Sequence, residues 1–148
     1  MRDTVTVFFM PVLVLHVVVA VLGLGSILAI AVVSATARRA GVRSADIAAW
    51  LGPLLRYSAF SLAAMLVTGV LMDLTTRGAF HSWWWFRASA LLLVVIGALH
   101  GVARRAVARG LAAERGRDDE MLRRVERIAY TMSALIAAIT ILMEAKPF

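Results

Sequence analysis

The run from Val5 to Ala35, VTVFFMPVLVLHVVVAVLGLGSILAIAVVSA, carries no charged residue. A helix needs about 20 apolar residues to cross a bilayer, and the apolar core of a secretion signal spans only roughly 7–15. The run therefore reads as a spanning helix. It is expected to be retained, because no small-residue cleavage site with a polar mature domain follows it. Three further apolar stretches lie downstream. Trp50 to Met72 is interrupted by Arg56 and bounded by Asp73; the next opens on Trp83-Trp84-Trp85-Phe86-Arg87 and continues apolar to Ala103 except for His100; the last is apolar from Ile128 to Met143. The expected helices are 5–35, 50–73, 83–109 and 122–144, with Pro53 in the first turn of the second. Together they predict an all-α integral membrane four-helix bundle forming one transmembrane domain over residues 1–148.

The 148 residues are 61% hydrophobic and 17% charged, with a mean hydropathy of +0.84, too apolar for an ordinary soluble core and too short for a large transporter. Cysteine is absent, so disulfides, iron–sulfur clusters and cysteine nucleophiles are excluded, and a metal must use His, Met, Asp, Glu or Tyr. The net charge of +7 follows the loops. Arg38, Arg39, Arg43, Arg56 and the eight arginines from Arg104 to Arg127 fall on one side, against Arg2, Arg77, Arg87 and Lys146 on the other. The positive-inside rule then puts both termini on the non-cytoplasmic face of a bacterial-type inner membrane. It also accounts for the basic charge without nucleic acid. The acids Glu114, Asp118, Asp119, Glu120 and Glu126 among those arginines predict opposite charges meeting at helical intervals, with a turn near Gly116. Small residues, including Gly23, Ser26, Ala63 and Ala137, fit close helix approach, and a homo-oligomer or a place in a larger membrane complex is expected from them.

An ionisable side chain in hydrocarbon costs roughly 2.5–3.5 kcal/mol, so His16, Arg56 and His100 are the informative residues. His16 has no polar neighbour within a helical turn and needs a partner on another helix. It reads either as an imidazole hydrogen-bonded to a carbonyl or hydroxyl, as a haem or metal ligand, or as a proton relay. His100 sits between Gly97 and Gly101, at a greater expected depth than His16. Met65, at the expected depth of His16, offers a thioether suited with imidazole to Cu(I), or alternatively ordinary apolar filling. Arg87 is expected to pair with Asp73 or Glu144, which with His81 sit at the outer boundary. Arg56 either reaches the cytoplasmic headgroups or contacts a haem propionate or an anionic lipid.

Leu15-His16 followed by Gly23 and Gly25 in the first helix, and Trp85-Phe86-Arg87 leading through Leu91-Leu92-Leu93-Val94 to His100 in the third, resemble a known pattern. It is that of the HemJ-type protoporphyrinogen oxidases and the related CopD-like four-helix membrane proteins. By that resemblance His16 is the helix-one histidine associated with haem b, His100 the helix-three histidine, and Arg87 the basic residue near that helix's start. The expected function is a haem-binding, redox-related inner-membrane protein, with His16, His100, Arg87 and Arg56 around the cofactor. The alternatives are a copper-handling protein using His16, His100 and Met65, and a cofactor-free accessory subunit of a larger membrane complex.

Overall fold

The computed structural model describes residues 2–112 and 119–145, so the expected turn near Gly116, and Glu114, Asp118 and Lys146 with it, lie outside the described residues. Four helices make up the bundle: α1 (Arg2–Arg39), α2 (Ser44–Thr75), α3 (Trp84–Ala112) and α4 (Asp119–Ala145). Each is long and apolar enough to cross a membrane. All-helical architecture and the count of four agree with the sequence reading, while the helices run further than their apolar stretches. Polar residues such as Thr36, Arg38 and Arg39 prolong α1, and Ser44, Asp46 and Ile47 begin α2. Propensity allows this, because a spanning helix has no reason to stop where hydrocarbon ends.

Pro53 is consequently not in the first turn of α2 but inside the helix, as Pro11 is inside α1. Both prolines sit on exposed positions. The first-turn reading started the helix at Trp50, whereas it begins at Ser44 and carries Asp46 in its first turn, where an acid complements the helix N-terminus.

Around the bundle, α1 and α3 each pack against both α2 and α4, so α1 and α3 occupy opposite corners. The turn between α1 and α2 is short. Gly41 adopts φ 65°, its N–H reaches Arg38 O, and the N–H of Val42 reaches Ala37 O at 3.0 Å. That is the paired closure in which a left-handed residue satisfies the last carbonyls of a helix. Beside it, Arg38 of α1 grips Glu126 of α4 through two contacts, Nε to Oε2 at 2.8 Å and Nη2 to Oε1 at 3.3 Å. Glu126 is thereby paired to another helix by a bidentate guanidinium, while Arg123, three residues away on α4, adds a favourable charge at the helical interval the sequence suggests.

Burial is uneven along the bundle axis. The fully buried side chains Ile27, Ile30, Leu51, Leu55, Leu122 and Val125 gather in the half that holds the α1–α2 turn. In the other half, α1 buries no residue between Phe8 and Leu22, and α2 none after Thr68. Many side chains there, such as Val14, Val21 and Val67, are exposed apolar groups, as a lipid-facing surface requires.

Candidate functional site

Two histidines are drawn onto α2 at separate levels. His16 of α1 meets Thr68, Nδ1 to Oγ1 at 2.7 Å, and His100 of α3 meets Ser58, Nε2 to Oγ at 2.7 Å. Each hydroxyl also donates to its own helix, Thr68 to Ala64 O at 2.8 Å and Ser58 to Leu55 O at 3.2 Å. With its proton given to the backbone, such a hydroxyl accepts from the imidazole N–H and fixes which ring nitrogen carries it. With the proton on Nδ1, Nε2 of His16 is the ring's acceptor.

Thr68 and Ser58 stand ten residues apart on α2, about 15 Å along its axis at about 1.5 Å per residue. Two axial ligands of one iron lie a few ångströms apart on opposite faces of a ring. The two imidazoles are therefore held at separate levels, too far apart to ligate one metal atom.

His16 lies on the wall shared by two cavities in the loosely packed half. The smaller, about 110 Å³, is bounded by Met65, Gly69, Phe86, Ser89 and Met143 as well as His16. The larger, about 410 Å³, opens toward the α2–α3 loop among Phe9, Phe80, Trp85 and Glu144. Aromatic side chains form the roof: the Phe80 ring is 6.4 Å from Phe9, 6.0 Å from Trp85 and 6.3 Å from Phe86 between centroids. Trp85 is the buried member of the indole run, while Trp83 and Trp84 are exposed. Gly69 leaves the edge of the imidazole uncovered, since a Cβ there would stand 3.7 Å from His16 Cε1.

One polar atom in this region has no partner. Ser89 is 5% exposed, and its Oγ makes no hydrogen bond although it borders the same small cavity as His16. A buried hydroxyl without a partner is costly, and Ser34 Oγ in the tightly packed half is left in the same state.

The roof is held by the loop after α2. Asp73 Oδ1 accepts the N–H groups of Phe80 at 2.9 Å and His81 at 3.0 Å, and Asp73 Oδ2 is 3.4 Å from His81 Nδ1. Arg87 does not pair with a carboxylate, contrary to expectation. Its Nε donates to His81 O at 2.8 Å and its Nη2 to Ser82 O at 3.2 Å. The reason is local: Asp73 is occupied by the loop's N–H groups, and the loop's carbonyls need donors of their own.

Of the residues singled out in the sequence, His16 and Met65 come together in one cavity. His100 borders a different one between α2 and α3, Arg87 fastens the loop, and Arg56 is exposed on α2 toward the opposite end. Among the described residues no three His, Asp or Glu side chains gather in a way that would hold a metal. Thr68 and Ser89 were missed. A signal existed for Thr68: Ser58, Ser61 and Thr68 recur at intervals of three and seven, which puts hydroxyls on one face of α2.

Comparison with known protein families, with curated proteins and with solved structures returns no match.

Proposed function

We propose that this protein is a multi-pass membrane protein that binds haem b for a redox task, with His16 as the residue that would hold it. The observation that carries the reading is the free edge of His16. Its Nδ1 is tied to Thr68, its Nε2 is left over, and apolar and aromatic walls enclose space beside it. Holding one imidazole nitrogen so that the other is presented is how proteins orient a ligating histidine. The residues fit a single-imidazole site: an acceptor nitrogen, aromatic faces, and an unpartnered hydroxyl at Ser89. Bound there, haem would supply one-electron chemistry at its iron.

The chain's own part is positioning and exclusion. Thr68 fixes the imidazole tautomer, Phe80, Trp85 and Phe86 keep the chamber apolar, and Ser89 Oγ offers a proton or accepts one inside it. The end bearing the α1–α2 turn is assigned to the cytoplasm on the strength of its arginines.

The test is an absorption spectrum of gently extracted protein, oxidised and reduced, produced with ample haem. A Soret band that shifts on reduction, disappears in His16→Ala and weakens in Thr68→Val is the expected result. A flat spectrum, or a band untouched by His16→Ala, overturns the proposal.

A second reading has its own observation. Met65 and Met143 border the same cavity as His16, so one imidazole and two thioethers surround the space, a soft set suited to Cu(I). Copper analysis separates the two readings: bound copper that is lost in Met65→Leu selects it, and copper-free protein after growth with added copper eliminates it.

A further inference from the structure

We infer that the outer flank of α2 and α3 is a seat for an anionic phospholipid, with the phosphate on Arg104 and Arg105 and an acyl chain in the groove above them. The groove shares the walls Leu66 and Leu93 with the smaller His16 chamber but does not include His16, and the phosphate seat on Arg104 and Arg105 lies outside both His16 chambers.

Two spaces lie end to end along α3. An apolar cavity of about 280 Å³ opens between Ala59, Ala63 and Leu66 of α2 and Val94, Gly97 and His100 of α3. Directly beyond it, a cleft of about 320 Å³ is bounded by Gly101, Arg104, Arg105 and Ala108. Val94, Gly97, Gly101, Arg104 and Ala108 follow one another at intervals of three and four, so they form a single strip of the helix. At Gly97 and at Gly101 a Cβ would meet nothing within 4 Å, which leaves the passage between the two spaces clear.

The order of chemistry along this strip matches one class of molecule. Its deep part is apolar and within the span of α3, and its shallow part carries two exposed guanidinium groups near the helix end. On the facing helix, Arg56 precedes Ala59 by three residues and Ala63 by seven, placing a third exposed cation on the same flank. Guanidinium groups take phosphate oxygens in fork geometry, and clustered basic side chains at a membrane surface favour anionic headgroups. A phospholipid satisfies both halves of the strip at once, its chain replacing the side chains that Gly97 and Gly101 lack.

Charge argues against a second copy of this chain as the occupant. A two-fold pairing through the groove sets each surface against itself and brings Arg104 and Arg105 toward the same arginines of the partner copy. A headgroup phosphate neutralises them instead.

The experiment uses the full chain in mild detergent, offered equal amounts of phosphatidylglycerol and phosphatidylcholine, with retained lipid counted by native mass spectrometry. The expected result is a preference for phosphatidylglycerol of about tenfold or more, the order set by two arginines at a phosphate. Arg104→Gln combined with Arg105→Gln brings the preference close to one. The control pair Arg123→Gln with Arg127→Gln, on the exposed side of α4, leaves it unchanged. Gly97→Leu lowers retention of both lipids by filling the groove, and circular dichroism checks that each variant keeps its helix content. Equal retention of the two lipids, an equal loss in the α4 control pair, or full displacement by millimolar inorganic phosphate overturns the inference. So does a lipid-free dimer whose contact includes Gly97.

Discussion

The two halves of the bundle are built to different standards. Toward the α1–α2 turn, Ile27, Ile30, Leu51, Leu122 and Val125 are fully buried, Arg38 clamps Glu126 across the bundle, and a glycine occupies the left-handed position of the turn. Toward the α2–α3 loop the helices border cavities, and the left-handed position belongs to Arg77 at φ 58°. Helices in lipid associate through close packing rather than through expulsion of water, so stability resides where the packing is tight. The half that gives up packing is the one that holds His16.

The sharpest way to break this comparison is through the two histidines. His100→Ala leaves any absorption that depends on His16 intact, because the partners of the two histidines, Ser58 and Thr68, stand about 15 Å apart along α2. Its effect is on stability alone, about 1–3 kcal/mol, from the lost hydrogen bond to Ser58 together with the lost packing of a buried ring. Loss of absorption in His100→Ala equal to the loss in His16→Ala would join the two levels into one site and defeat the division.

Packing is the next test, read by reversible unfolding in mixed detergent. Ile30→Ala removes a fully buried side chain from the tight half and is expected to cost about 2–5 kcal/mol. Leu13→Ala, on the wall of the larger chamber, removes a side chain that already faces open space and is expected to cost less than about 1 kcal/mol. Equal losses would mean that the chambers contribute as much cohesion as the core.

The same division governs what the sequence disclosed. Four helices were legible because charge-free runs such as Val12 to Val19 permit little else. Helix ends were less legible, since Ser44 to Ala49 reads as a loop until it is seen to extend α2 beyond its apolar part. His16 announced itself as a polar group needing a partner, yet that partner lies 52 residues away, and only helix packing brings Thr68 opposite. Arg87 misled for a related reason. Its carboxylate candidates were countable in the sequence, whereas the loop carbonyls it actually satisfies, those of His81 and Ser82, are backbone atoms that every residue possesses. The unpartnered hydroxyl of Ser89 had no signature, being one small residue among Ala88 and Ala90 in an apolar helix.

The smallest expected effect compares the two turns directly. Both close by the same pair of backbone hydrogen bonds: Gly41 N to Arg38 O and Val42 N to Ala37 O in one, Arg77 N to Leu74 O and Gly78 N to Asp73 O in the other. They differ in the residue at the left-handed position. Glycine takes that conformation without a Cβ clash, while other residues pay roughly 1–2 kcal/mol, partly offset by glycine's greater freedom when unfolded. Arg77→Gly is therefore expected to stabilise the protein by about 0.5 kcal/mol and Gly41→Ala to destabilise it by about 1 kcal/mol. Gly78 is less replaceable than either, because at φ 76° an added Cβ would also stand 2.6 Å from His81 Cε1. If Arg77→Gly stabilises the fold but weakens retention of whatever His16 holds, the strained turn is part of how the roof of Phe80 and Trp85 is set, since non-glycine residues in this conformation concentrate at functional sites. If retention is unchanged, the strain at Arg77 is confined to the turn, and the contrast between the two halves rests on packing alone.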